Sequence, residues 1–259
     1  MYTYDKLISW VENIKEQNHS SAAALCIMKD NKIVLEHYSG YHSNTSTSKK
    51  VTASSQFNVA SARKSYLGLM IAYALYEGKI NSIDDEAIKY FKDFDPVLLS
   101  KTTIRHLVTH SHGLEETNGG IIFREFEPGQ GWAYRDINVR MMTRLIYQLY
   151  NKSFPELLKE RVFKPANFQE TGWRIQQDDN LVAVVDDPNK DAISEIGVPK
   201  GSYQILGITG PTILVIPEYN VVVAKMYNKR YNYGGDNYLY YLREFSNLVV
   251  DTFRNSNRA

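Results

Sequence analysis

Phe57 to Ile80 reads FNVASARKSYLGLMIAYALYEGKI, and the spacing of its apolar residues decides how the rest of the chain is organised. Leu67, Met70, Ile71, Ala74 and Leu75 recur at the three- and four-residue intervals of one helical face, and Gly78 supplies a stop. At the head of this predicted helix stand Ser61 and Lys64. A helix start puts side chains three residues apart on one face, so an amine there can take the proton of the hydroxyl. It also aims free backbone N–H groups at a developing oxyanion. The spacing alone carries little weight. Ser46 and Lys49 share it in a polar loop with no helix behind them, where neither side chain would be held. The competing reading of Ser61 and Lys64 is a helix cap beside a solvated lysine.

Outward from this stretch, Leu7, Ile8, Val11 and Ile14 predict a first amphipathic helix of about three turns. The apolar run Ala22 to Met28, the polar turn Lys29 to Lys32 and the alternating run Ile33 to Tyr38 predict a hairpin. Ser43 to Ser55 reads as a loop. The middle of the chain, to about residue 170, reads as helix and loop. It includes a helix at Val139 to Tyr150 and a loop marked by Pro128-Gly129 before it. Strand character returns at Thr212 to Ile216 and Val221 to Tyr227 around a turn at Pro217 to Asn220, and a helix from about Asn237 to Phe253 follows. Strands at both ends with helices between them predict an α+β fold. N- and C-terminal segments then share one antiparallel sheet flanked by helices, with a helical region inserted. The expected division is a sheet subdomain at about residues 1–55 and 200–259 and a helical subdomain at about 56–199, within a single domain spanning 1–259.

Composition narrows the partners. The 259 residues are 43% hydrophobic and 23% charged with a formal net charge of +1, an ordinary globular balance. There is no field to gather nucleic acid or an acidic membrane surface. The single cysteine, Cys26, lies in an apolar run and reads as a small core residue. The opening Met1 to Lys6 lacks the pattern of a signal peptide, and no window approaches the ~18 apolar residues of a membrane span. A cytoplasmic location and no membrane partner are expected. All six histidines come early: His19, His37, His42, His106, His110 and His112. His110 and His112 have no carboxylate or cysteine at ligand spacing, so neither a metal nor a cofactor is expected.

Four segments carry a longer resemblance: Phe57 to Ile80, Thr102 to Leu114 (TTIRHLVTHSHGL), Pro128 to Asn138 (PGQGWAYRDIN) and Thr209 to Val223 (TGPTILVIPEYNVVV). In this order they resemble the successive blocks of the serine β-lactamase-related family. That family includes class C β-lactamases, D-alanyl-D-alanine peptidases, β-lactamase-fold esterases and nylon-oligomer hydrolases. The resemblance covers most of the chain and implies a β-lactamase/transpeptidase-like fold. The family's Ser-x-x-Lys falls on Ser61 and Lys64, and its Tyr-x-Asn on Tyr134, Arg135 and Asp136. Ile208-Thr209-Gly210 is the tempting match for the third motif. The residue after that triad should donate a backbone N–H to the oxyanion, and Pro211 has none. Counting back from Pro217-Glu218 places the triad on Ile205-Leu206-Gly207 and the donor on Ile208.

The resemblance implies two-step acyl transfer on a small ester or amide. Ser61 is the nucleophile, Lys64 and Tyr134 relay its proton, and the N–H groups of Ser61 and Ile208 hold the oxyanion, with Gly207 and Asp136 in the substrate-binding surround. Three departures bear on the substrate. Ile205 stands where members usually carry the Lys or His that helps bind a substrate carboxylate. Asp136 stands for Asn and, when ionised, accepts but does not donate hydrogen bonds, which favours an ammonium at Lys64. Only about thirty residues separate Trp173 from Tyr203, shorter than is usual in the family, so one wall of the substrate cleft is expected to be trimmed. Two rivals stay open: a binding protein that has kept the fold and lost turnover, and a penicillin-binding peptidase or weak β-lactamase.

Overall fold

In the computed structural model, which describes residues 3–173, 180–183, 185–186, 202–230 and 238–254, Asp30 and Asn31 take positive φ of 49° and 60°. Two consecutive residues in that region make the tight turn whose twist matches the strands it joins, and Asn and Asp tolerate it. Along the chain the elements are α1 (Asp5–Gln17), β1 (Ala22–Lys29), β2 (Lys32–Gly40), α2 (Lys64–Tyr76), α3 (Ile104–Val108), β3 (Leu114–Glu116) and β4 (Ile122–Arg124). They continue with α4 (Ile137–Tyr150), α5 (Phe154–Leu158), β5 (Val185–Asp186), β6 (Tyr203–Leu206), β7 (Thr212–Ile216), β8 (Val221–Tyr227), β9 (Lys229–Arg230) and α6 (Tyr238–Arg254). The chain divides into two compact units, one formed by Met1–Arg63 with Arg174–Ala259, the other by Lys64–Trp173.

The first unit is built on a five-stranded sheet in the order β2-β1-β8-β7-β6, every neighbouring pair antiparallel. N-terminal β1 lies beside C-terminal β8, so the two ends of the chain share one sheet as expected. Alternation along β8 sends Val221, Val223, Lys225 and Tyr227 to the buried side. There Leu7, Val11 and Ile14 of α1 and Phe245, Val249 and Phe253 of α6 pack against Leu25, Ile27, Leu214 and Val223. Each such side chain fully removed from water contributes ~1.5–3 kcal/mol before conformational entropy is subtracted. The expected start of α6, at about Asn237, lies outside the described residues. Cys26 departs from the core reading: it is half-buried, because strand alternation puts it on the opposite face from Leu25 and Ile27. Burial still pushes its thiol up.

The second unit packs α2 against α4 around Met70, Ile71, Met142, Leu145 and Phe91. Gly78 closes α2 at φ +69°, with its N–H on the Leu75 carbonyl at 3.1 Å and that of Lys79 on the Ala74 carbonyl at 2.8 Å. The start of α2 differs from expectation. Ala60–Arg63 forms a 3₁₀ turn and the α-helix begins at Lys64, so Ser61 precedes the helix rather than opening it. The hairpin of β3 and β4 also goes beyond the helix-and-loop reading, since three-residue strands are too short to show a period of two.

Candidate active site

The seryl turn belongs to the first unit and is held by side chains that bond its main-chain groups. Ala60, immediately before Ser61, has φ +43°, a region an L side chain occupies only when its surroundings hold it there. Three contacts do so. Asn58 Oδ1 accepts from the Ala60 N–H at 2.8 Å, Val59 O accepts from the Ala62 N–H at 3.0 Å, and Ala60 O accepts from Arg63 Nη1 at 2.9 Å. The end of β6 packs against this turn. A Cβ added to Gly207 would lie 2.4 Å from the Val59 carbonyl oxygen and 2.6 Å from Pro211 Cγ, so that position admits no side chain. Beyond it, the loop between β6 and β7 runs through Ile208, Thr209 and Gly210, with Gly207 donating to Pro211 O at 3.0 Å and Gly210 to Gly207 O at 2.9 Å. Thr209 is buried and donates its hydroxyl to Asn58 O at 2.5 Å. Ile205, on β6, is part-buried and brings no charge to this edge.

The second unit brings together a different set. Lys64 Nζ, at the first turn of α2, donates to Tyr134 Oη at 2.7 Å although the two are 70 positions apart. The amine also lies 4.9 Å from the centre of the Tyr134 ring and 3.9 Å from Asp136 Oδ1. Asp136 is 76% exposed at its side chain, so its pull on the ammonium is screened by water. The loop that presents Tyr134 is pinned to the segment after α3. The Ala133 N–H donates to His110 O at 3.1 Å and the Gly129 N–H to Ser111 O at 2.8 Å. Arg135 binds both Glu125 oxygens at 2.9 Å and pairs with Glu115, tying the same loop to β3 and the segment after β4.

Histidine enters here in a way the sequence did not disclose. The His110 ring stacks on Tyr134, centroids 4.7 Å apart and planes 21° apart, with the Trp132 ring 6.2 Å from His110 and 6.5 Å from Tyr134. Its Nδ1 faces the Arg135 N–H at 3.4 Å and Asn138 Nδ2 at 3.3 Å, both donors, which selects the tautomer carrying its proton on Nε2. Burial, with Lys64's charge as the next cause, holds His110 below the usual imidazole range. His112 is pushed down to about 4, chiefly by burial, and its Nδ1 accepts from the Leu114 N–H at 2.9 Å. Burial thus favours the neutral form of both rings. No group of three or more His, Cys, Asp or Glu able to hold a metal occurs among the described residues. No helix among them is long and apolar enough to cross a membrane.

The residues between Trp173 and Tyr203, where a trimmed cleft wall was expected, lie mostly outside the described residues. Asn58, Ala60 and Thr209 were not read as site residues. Asn58 two positions before Ala60 is an Asx-turn signal that could have been noticed, whereas positive φ at an alanine leaves no mark in sequence.

Comparison with known proteins gives a consistent picture. The Beta-lactamase family model matches residues 7–190. An uncharacterised protein of Alkalihalophilus pseudofirmus is 31% identical across 95% of this chain and 96% of its own length. That alignment runs over 325 positions, more than the 259 residues here, so the relative carries inserted segments that this chain lacks. A D-aminopeptidase of Brucella anthropi is 25% identical over 63% of this chain and 35% of its own length. Penicillin-binding protein 4* of Bacillus subtilis is 24% identical over 53% and 35%. In fold, the chain is similar to a class C beta-lactamase (TM-score 0.77, 10% identity, 96% of this chain and 95% of that one). It is also similar to EstCE1, a hydrolase with promiscuous acyltransferase activity (TM-score 0.75, 14% identity, 95% and 98%). A family match over most of its length and a full-length relative above 30% identity place this chain in the beta-lactamase family.

Proposed function

We propose that this chain is a serine hydrolase that works through an acyl-enzyme on a small ester or amide. The observation that carries the reading is the 2.7 Å hydrogen bond from Lys64 Nζ to Tyr134 Oη, which joins two motif residues 70 positions apart into one proton-handling pair. In this mechanism the Ser61 hydroxyl attacks the substrate carbonyl and its proton passes to the Lys64/Tyr134 pair. The tetrahedral oxyanion is held by the backbone N–H groups of Ser61 and Ile208. The pair returns the proton to the leaving alcohol or amine as the acyl-enzyme forms. Water, activated by the same pair, then releases the acid and restores Ser61.

Ile205 guides the substrate side of the proposal. A branched aliphatic residue on β6 cannot pair with a substrate carboxylate, so acyl groups that lack a free carboxylate suit this site better than peptide C-termini. Names among the relatives agree with acyl transfer from an amide or a related acyl donor, one being a D-aminopeptidase and one fold neighbour a hydrolase with promiscuous acyltransferase activity.

The test is turnover of short-chain p-nitrophenyl esters together with labelling by a fluorophosphonate. Wild type is expected to do both, and Ser61→Ala neither. Equal behaviour of the two proteins would transfer the weight to a binding protein without turnover. Incubation with a fluorescent penicillin separates the remaining rival: no stable label is expected, and a persistent one would make the chain a penicillin-binding peptidase.

A further inference from the structure

Thr209 is the residue that the sequence offers as a motif threonine and then withdraws, because Pro211 follows it too closely. We propose that it is a positioning residue: its hydroxyl clasps the β6–β7 loop to the seryl turn, so that the two oxyanion donors are set as one piece. The inference rests on the serine hydrolase reading above.

The geometry is confined to one compact unit. Thr209 Oγ1 donates to Asn58 O at 2.5 Å, and Asn58 Oδ1 accepts from the Ala60 N–H at 2.8 Å. Asn58 is therefore fixed at both ends, by the loop on one side and by the strained alanine on the other. One residue later, Gly207 lies against the Val59 carbonyl so closely that a methyl group would sit 2.4 Å from the oxygen. The proposed donors are the immediate neighbours of these contacts, Ser61 following Ala60 and Ile208 lying between Gly207 and Thr209. Ala60 at φ +43° relaxes unless something opposes it, and any relaxation turns the Ser61 N–H. Thr209 is 4% exposed, so water cannot readily replace its hydroxyl at Asn58. An oxyanion donor acts only when it is aimed at the place where charge will develop, and displacement by ~1 Å costs on the order of 10²-fold in rate.

The experiment compares Thr209→Val, which keeps the shape and removes the donor, with Thr209→Ser, which keeps the donor. Ester turnover and the rate of fluorophosphonate labelling are measured on the full chain. Thr209→Val is expected to lower kcat by about 10- to 100-fold with KM within about twofold, to slow labelling in parallel and to leave the pH profile unmoved. Thr209→Ser is expected to recover most of the rate. If Thr209→Val does not fold, Thr209→Ala takes its place, removing the same donor with the same expected loss in kcat. A kcat within twofold of wild type overturns the proposal, as does a loss carried by KM alone or an equal loss in the valine and serine variants, which marks packing alone. Should Ser61→Ala label as wild type does, the hydrolase reading falls and takes the clasp with it. A label that requires Ser61 but ignores Thr209→Val removes the clasp only.

Discussion

Two lysines of this chain sit against aromatic rings and live in opposite circumstances. Lys64 reaches the Tyr134 hydroxyl at 2.7 Å and has the carboxylate of Asp136 at 3.9 Å, so its charge has both a hydrogen-bond acceptor and a counterion. Lys225 is 2% exposed, and its amine lies over Tyr227, Phe245 and Trp10 at 4.7, 5.2 and 5.7 Å from the ring centres. Ring faces attract a cation but do not replace its hydration, and burial pulls Lys225 down to about 7. The contrast teaches that a lysine near an aromatic ring is not by itself a catalytic signature. What sets Lys64 apart is a partner that can exchange a proton, the Tyr134 hydroxyl.

Four substitutions probe that contrast. Lys64→Met should have the largest effect, lowering kcat/KM for a p-nitrophenyl ester by about 10³-fold while the melting temperature stays close to wild type. Activity retained within tenfold would remove Lys64 from the proton relay.

Lys225→Met should do the reverse: kcat/KM unchanged within about twofold, and unfolding at pH 7 harder by about 3 kcal/mol in urea titration. The sign follows from protonation. Folded Lys225 gives up its proton near pH 7, whereas the unfolded chain keeps it to its ordinary value of 10.5. Between these pH values the unfolded state holds more protons, so wild-type stability rises with pH. The gap between wild type and Lys225→Met should therefore shrink from pH 7 towards 10.5. A gap that does not change with pH would mean that the folded lysine keeps its charge.

Tyr134→Phe keeps the ring against His110 and removes only the hydroxyl, so a fall of about 10²-fold in kcat is expected, with KM little moved. The least effect belongs to Asp136→Asn. An ion pair at 3.9 Å to a carboxylate that is 76% exposed is of the kind worth ~0.2–1 kcal/mol, which limits the change in kcat/KM to about fivefold. A larger loss would make Asp136 a direct participant.

How much could be read beforehand follows the length and regularity of the signal. The hairpins of β1–β2 and β7–β8 and the helices α1, α2, α4 and α6 have apolar periods sustained over a full element, and all appear close to where they were expected. Lys64 and Tyr134, which the structure brings to 2.7 Å, could be picked out as a pair because a side chain with chemistry occupies each position. What stayed hidden was held by backbone or by packing across long sequence distances. The left-handed Ala60 has no residue-type signature, and Thr209 looked like a failed motif. His110 reveals its stacking on Tyr134 only when residues 24 positions apart are brought together. Lys225 broke the inward alternation of β8 in plain view, yet burial of a charged residue is uncommon enough that sequence alone argued against it.

The central claim is that Ser61, not its equally spaced counterpart Ser46, is the nucleophile. Reaction with a fluorophosphonate followed by peptide mass mapping tests it directly. One covalent adduct is expected, on the peptide carrying Ser61, absent in Ser61→Ala and retained in Ser46→Ala. An adduct that maps elsewhere, or that survives Ser61→Ala, would contradict it.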